Sequence, residues 1–311
     1  MKRSWLTRGG LAACLALFLI IPAAAASAAP AGDGPPGFWW GTDSLAVSVP
    51  GSAPYKMPVL GGAYGGYIGM AGNWAYWLGC RGGFIAFSSA NAAQAHINFT
   101  RYHLGVGYGA YWFMGGPGVD PNYNGTASEA SAWGARQAAR ALAEIANGPF
   151  DYRVVWMDVE LPGIKPAADN GWNNVYTSAC SGVIKKSGIP AAVDRADFNG
   201  FASYIAAHSS YKVGVYSSPG VWASIFGTGT TASIPNTYEW TYEPETTNYT
   251  GAHPYGWCLS HGSGPCAQFF GGQTSSSPYA LMWQWSGGGG VTNGIGGFNG
   301  DLDQIDSSRM G

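Results

Sequence analysis

Two carboxylates stand two residues apart at the end of an apolar run, Arg153-Val154-Val155-Trp156-Met157-Asp158-Val159-Glu160. On an extended strand, positions i and i+2 face the same way, about 6.6 Å apart along the chain, so Asp158 and Glu160 are predicted to project together. Neighbouring carboxylates raise one another's pKa, and apolar walls raise it further by desolvation, so such a pair can keep one group protonated while the other stays charged. That is the equipment of general acid–base catalysis. An isolated Asp-x-Glu is also an ordinary way for a strand to run into a solvated turn, so the pair gains meaning only from what accompanies it. Other chemistries lack their signatures. The chain has no Gly-x-x-x-x-Gly-Lys-Ser/Thr loop, no Gly-x-Ser-x-Gly elbow, no Cys-x-x-Cys and no His-Glu-x-x-His, and His96, His103, His208, His253 and His261 show no ligand spacing. Neither a cofactor nor a metal is expected.

The elements that must position this pair are legible as apolar, β-branched or aromatic runs ending in Gly, Ser, Asp or Glu. They are Phe38 to Asp43, Gly66 to Met70, Val106 to Phe113, Arg153 to Glu160, Lys212 to Ser217, Thr237 to Glu243 and Tyr279 to Trp285. Most are near-continuously apolar, which predicts strands buried on both faces, as in a parallel sheet covered by helices. Ala-rich, capped runs predict helices over Ser128 to Ala146, Asp197 to His208 and Ser88 to Tyr102, with a short one over Pro219 to Phe226. Strand and helix alternate through the first two-thirds, an α/β pattern. The predicted fold is a TIM-like (β/α) barrel, modified with fewer helices in its C-terminal part.

With 46% hydrophobic, 14% aromatic and 10% charged residues, the 311-residue chain can bury a large core and is not of disordered composition. Lys2, Arg3 and Arg8, the apolar run Leu11 to Ile21 and the small residues Ala26-Ser27-Ala28 form a secretory signal pattern, so 1–28 is read as a signal peptide and 29–311 as a single barrel domain. Leu11-Ala12-Ala13-Cys14 is a poor lipobox, because most of the apolar run follows the cysteine. The expected location is extracellular, with no membrane association after cleavage and a monomeric state. Loss of the signal leaves 12 Lys plus Arg against 17 Asp plus Glu, a net charge of −5 that argues against nucleic acid as a partner. Cys80, Cys180, Cys258 and Cys266 remain as an even set in an oxidising compartment. Cys258 with Cys266, close together in a Gly-Pro-Ser-rich loop, and Cys80 with Cys180 is the pairing chosen among three possible connectivities.

Five segments occur in a telling order: Phe38-Trp39-Trp40-Gly41-Thr42-Asp43-Ser44; Gly107-Tyr108-Gly109-Ala110-Tyr111-Trp112-Phe113; Val155-Trp156-Met157-Asp158-Val159-Glu160; Val213-Gly214-Val215-Tyr216-Ser217-Ser218; and Trp283-Gln284-Trp285 followed by Gly300-Asp301-Leu302-Asp303. The series resembles glycoside hydrolase family 25, the Chalaropsis-type lysozymes, over nearly the whole mature chain. That resemblance implies a modified eight-stranded barrel and muramidase activity on the β-1,4 glycosidic bonds of peptidoglycan or a related polysaccharide. It implies Glu160 as general acid, Asp158 as its carboxylate neighbour, Asp43 and Asp301 as two further cleft acids, and Tyr111 and Tyr216 as cleft tyrosines. The sequence departs from the family in having Tyr111-Trp112-Phe113 for Tyr-His-Phe, Trp283-Gln284-Trp285 for Trp-Gln-Tyr, and Asp301-Leu302-Asp303 for Asp-Leu-Asn. Pro50 to Phe87 and Leu161 to Pro190 have no clear family counterpart.

Aromatic rings stack on the apolar faces of sugars, and Trp40, Trp112, Trp172, Trp240, Trp257, Trp283 and Trp285 lie at predicted strand ends or in loops. Trp112, Trp283 and Trp285 are taken as candidate substrate contacts beside the two tyrosines; for any single ring, core packing is the plainer role. The leading expectation is a secreted glycoside hydrolase. A non-catalytic wall-carbohydrate-binding protein on the same fold, or a structural domain with incidental carboxylates, are the alternatives. The first two require Asp43, Asp158, Glu160 and Asp301 to meet in one cleft, and the third does not.

Overall fold

The computed structural model describes residues 38–44, 67–74, 107–146, 154–161, 170–177, 183–228, 237–242, 280–286 and 301–306. Within them the fold is mixed α/β with a mostly parallel sheet. The elements in chain order are β1 (Phe38–Ser44), β2 (Tyr67–Trp74), β3 (Gly107–Phe113), α1 (Ala127–Ala146), β4 (Val154–Asp158), β5 (Asn174–Tyr176), β6 (Ile184–Ser187), α2 (Ala191–His208), β7 (Lys212–Ser217), α3 (Pro219–Phe226), β8 (Tyr238–Tyr242), β9 (Met282–Ser286) and β10 (Asp301–Asp306).

Eight strands close into a barrel in the order β1-β10-β9-β8-β7-β4-β3-β2, while β5 and β6 form a separate two-stranded sheet. Seven of the eight run parallel; β10 is antiparallel to both β9 and β1 and closes the ring between them. The barrel therefore departs from a uniform (β/α) repeat at its seam.

Alternation along the strands separates two cores. Val155, Met157, Val213 and Val215 point outward and pack with Phe198, Phe201 and Ile205 of α2 and Trp222, Ile225 and Phe226 of α3. Tyr111, Val154, Trp156, Tyr216, Tyr238, Trp240 and Met282 form the inward cluster. Gly214 makes the inward packing possible, since a Cβ there would lie 2.3 Å from the Trp156 ring. Outside the sheet, α1 and α2 approach so closely that a Cβ on Gly134 would meet the Asp197 carbonyl oxygen at 2.0 Å, and one on Gly200 the Ser131 carbonyl oxygen at 2.1 Å. Ser218 caps α3, accepting from the Val221 N–H, and Pro219 occupies its first turn.

Several sequence expectations shift in register. α2 starts at Ala191, ahead of the predicted Asp197, because Pro190 ends the preceding segment as a proline that can precede but not continue a helix. β4 ends at Asp158, leaving Glu160 just beyond the strand. β5, β6 and β10 are strands that the sequence pattern did not announce. The predicted helix over Ser88 to Tyr102, the signal segment 1–28 and all of Cys80, Cys180, Cys258 and Cys266 lie outside the described residues. No described helix is long and apolar enough to cross a membrane.

Candidate functional site

The end of β4 is fixed from both sides. Asp158 pairs in register with Phe113 of β3 and Tyr216 of β7. Beyond the strand, its carbonyl accepts from the Met114 N–H at 2.8 Å, and the Val159 N–H donates to the Tyr216 carbonyl at 2.9 Å. The Ser217 hydroxyl donates to the Val159 carbonyl at 2.8 Å, and the Asn170 side-chain amide donates to the Glu160 carbonyl at 3.3 Å. The backbone that carries both carboxylates is thereby held past the last ladder bond. Val159 between them packs into the outer core, so the strand's alternation persists and leaves Asp158, two residues after Trp156, on the inward side. Asp158 is buried, whereas Glu160 is partly exposed.

The loop leaving β3 next to this rim is secured by α1. Gln137 brackets Gly115, accepting from its N–H at 2.9 Å and donating to its carbonyl at 2.8 Å, while the Trp133 indole donates to the same carbonyl at 2.8 Å. The Gly116 N–H reaches the Asn170 carbonyl at 3.0 Å and the Gly118 N–H the Gly171 carbonyl at 2.8 Å. Asn170 itself takes a left-handed conformation with φ of 53°, followed by Gly171 at 85°.

Asp43 is the penultimate residue of β1 and is the direct register partner of Asp301, the first residue of β10. Since β1 runs parallel to β4 through β2 and β3, and β10 runs antiparallel, the C-terminal ends of β1 and β4 and the N-terminal end of β10 lie at one rim of the barrel. Asp301 thus reaches the rim by beginning a strand, not by following or ending one, because the strand that bears it is reversed.

The inward aromatic cluster lies beneath. Tyr216 and Trp240 are neighbours in register with ring centroids 4.5 Å apart, and Trp240 meets Tyr111 and Trp156 edge-on at 6.0 and 5.7 Å. The Tyr216 hydroxyl donates to Gln284 Oε1 and the Trp240 indole N–H to Asp303 Oδ1 at 2.9 Å. Of the sequence candidates, Tyr111 and Tyr216 join this cluster and Trp112 does not. It packs with Val155, Met157 and the helices on the outer face, because adjacent strand residues cannot both face inward. Trp283 is fully buried and, as the neighbour of the inward Gln284, occupies the opposite face of β9. Trp285 falls at the register irregularity between β9 and β10, where Leu302 opposes Ser286 and Asp303 opposes Gln284. Trp172 packs edge-on against Phe226 at 5.6 Å in the outer core. Gln284 and Asp303, which carry no role in the sequence reading, are the added members; Gln284 was visible inside Trp-Gln-Trp, and Asp303 as a departure from the family pattern. Among the described residues no group of three or more His, Cys, Asp or Glu is arranged to hold a metal.

No family model matches the chain, and no curated protein matches it in sequence. Among solved structures, the chain is similar to the Clostridium perfringens spore cortex lytic enzyme SleM, with 13% identity over 88% of this chain and 69% of that one and a TM-score of 0.48. It is similar to a bacterial lysozyme from Streptomyces coelicolor at 17% identity, covering 88% of this chain and 95% of that one with a TM-score of 0.46. A muramidase from Acremonium alcalophilum shows 15% identity over 88% of this chain and 96% of that one, with a TM-score of 0.47.

Proposed function

We propose that the chain is a secreted glycoside hydrolase of muramidase type, on a modified (β/α) barrel, that cleaves β-1,4 glycosidic bonds of peptidoglycan. The observation that supports this best is the shared rim: Asp43 opposite Asp301 in register, with Asp158 ending a parallel strand of the same barrel and Glu160 just beyond it. In this reading Glu160 donates a proton to the leaving glycosidic oxygen as the bond from the anomeric carbon to that oxygen breaks. Asp158 stays charged beside the oxocarbenium-like centre, and water adds its hydroxyl to the anomeric carbon and its proton to a carboxylate. Asp43 and Asp301 supply the remaining negative potential, and Tyr111 and Tyr216 face the sugar. No cofactor enters.

The test is turbidity clearing of purified cell walls by the wild type and Glu160→Gln, with circular dichroism confirming the fold. The wild type is expected to clear walls, and the amide, which keeps the shape but cannot deliver a proton, to lose about 10²- to 10⁴-fold in rate. A wild type that sediments with walls at every pH from acidic to neutral without clearing them would instead be a carbohydrate-binding protein on this fold.

A further inference from the structure

Asp303 is a carboxylate inside the barrel that the proposed mechanism does not use. It is fully buried, opposite Gly41 of β1 and Gln284 of β9, and its Oδ1 accepts from the Trp240 indole at 2.9 Å. β8 and β10 are not neighbours, so this bond reaches across β9 and ties the inward ring of one strand to the strand that closes the barrel. At the same register level Gln284 accepts from the Tyr216 hydroxyl. β9 and β10 together therefore supply the acceptors for both Trp240 and Tyr216. An indole has a single N–H, so the acceptor's position fixes the direction in which that edge of the ring points. The Trp240 ring in turn sets the surface against which Tyr216, at 4.5 Å, and Tyr111, at 6.0 Å, rest. Trp240 is 1% exposed, against 4% for Tyr111 and 6% for Tyr216, and it packs behind both tyrosines, so its role is to back their rings.

We infer that Asp303 is a positioning residue for sugar binding: as hydrogen-bond acceptor to Trp240 it fixes the rings of Tyr216 and Tyr111 below the carboxylate rim. This rests on the hydrolase reading. What matters is the acceptor oxygen, so Asp303→Asn, which retains one, keeps function, whereas Asp303→Leu, of similar bulk and without one, loses it. Rings that support the sugar in ground state and transition state alike act on KM and leave kcat nearly unchanged.

The experiment measures kcat and the half-saturating concentration of purified peptidoglycan for wild type, Asp303→Asn, Asp303→Leu and Trp240→Phe, with near-ultraviolet circular dichroism of each. Asp303→Leu and Trp240→Phe are expected to raise the half-saturating concentration about 10-fold with kcat within about 3-fold, as loss of one buried hydrogen bond suggests, and to alter the tryptophan dichroism. Asp303→Asn is expected to stay within about 3-fold in both constants. Should Asp303→Leu not fold, Trp240→Phe decides, because it removes the donor and leaves the carboxylate. Wild-type kinetics in Asp303→Leu and Trp240→Phe overturn the inference while leaving the hydrolase standing, and equal losses in the Asn and Leu variants overturn it in favour of a charge effect. A wild type without turnover overturns the hydrolase reading, and this inference with it.

Discussion

Asp158 and Asp303 are buried within the barrel, and Asp194 and Asp197 of α2 are buried outside it, Asp197 against α1. Burial is equally complete in Asp303 and the helix pair, yet the surroundings differ. Asp158 ends β4 and Asp303 lies within β10, and both are on the inward side of the barrel with the aromatic rings. On the helix side, Asp197 Oδ1 lies 3.5 Å from the Gln137 amide, and Asp120 is bridged to Arg136, which also reaches Glu129 at 2.8 Å. Burial pushes the Asp197 carboxyl well above its usual range, with the charges of Asp194 and then Asp120 adding to the rise and Arg136 opposing it. A strongly displaced carboxyl also arises here in a helix-packing environment, away from the proposed rim. Position relative to the strand ends is the better guide.

The sharpest way to break this contrast is to remove one charge from each group. Asp158→Asn is expected to lower kcat on cell walls about 10²-fold or more, through loss of the charge beside the developing cation, whereas Asp194→Asn is expected to leave kcat within about 2-fold of wild type, as suits a group outside the site. Comparable losses in both variants, with folding intact, would erase the distinction.

A smaller effect tests what the helix side is for. Gly200→Ala forces a Cβ against the Ser131 carbonyl, and overpacking of this kind costs about 1–3 kcal/mol. The expected outcome is a lower urea midpoint with kcat unchanged; a wild-type midpoint would show that the helices can part freely.

The smallest effect is one of pH. The folded chain holds the Asp197 proton more tightly than the unfolded chain, so its contribution to stability is fully present below about pH 3.8 and is lost as pH rises through the raised folded-state pKa. Asp197→Asn removes this dependence: urea midpoints measured between pH 3 and 8 should fall less steeply with rising pH than those of wild type. Parallel curves would assign the dependence to another group.

The strands bearing Tyr111, Asp158 and Tyr216 were legible because strands packed on both faces are continuously apolar, and the Asp-x-Glu pair stood out as the polar end of one such run. β10 was not, since Asp301-Leu302-Asp303-Gln304-Ile305-Asp306 has three carboxylates and reads as a solvated loop; only pairing on both sides makes it a strand. Trp112 shows a different failure. Period two forbids it from sharing the face of Tyr111, and it packs in the outer core instead. The Trp240–Asp303 bond joins residues 63 apart in sequence, and no local pattern announces a contact of that kind.

β10 also bears on how the molecule is made. Its two neighbours are β1 and β9, so the ring is joined across almost the whole described chain, Phe38 lying opposite Asp306. While a nascent chain lacks that strand, β1 and β9 each present a row of unpaired amides and carbonyls, the template on which strands of other molecules add. Closure therefore waits until β10 has been made, and a chain cut short before residue 301 would leave the β1 and β9 edges without the strand that joins them.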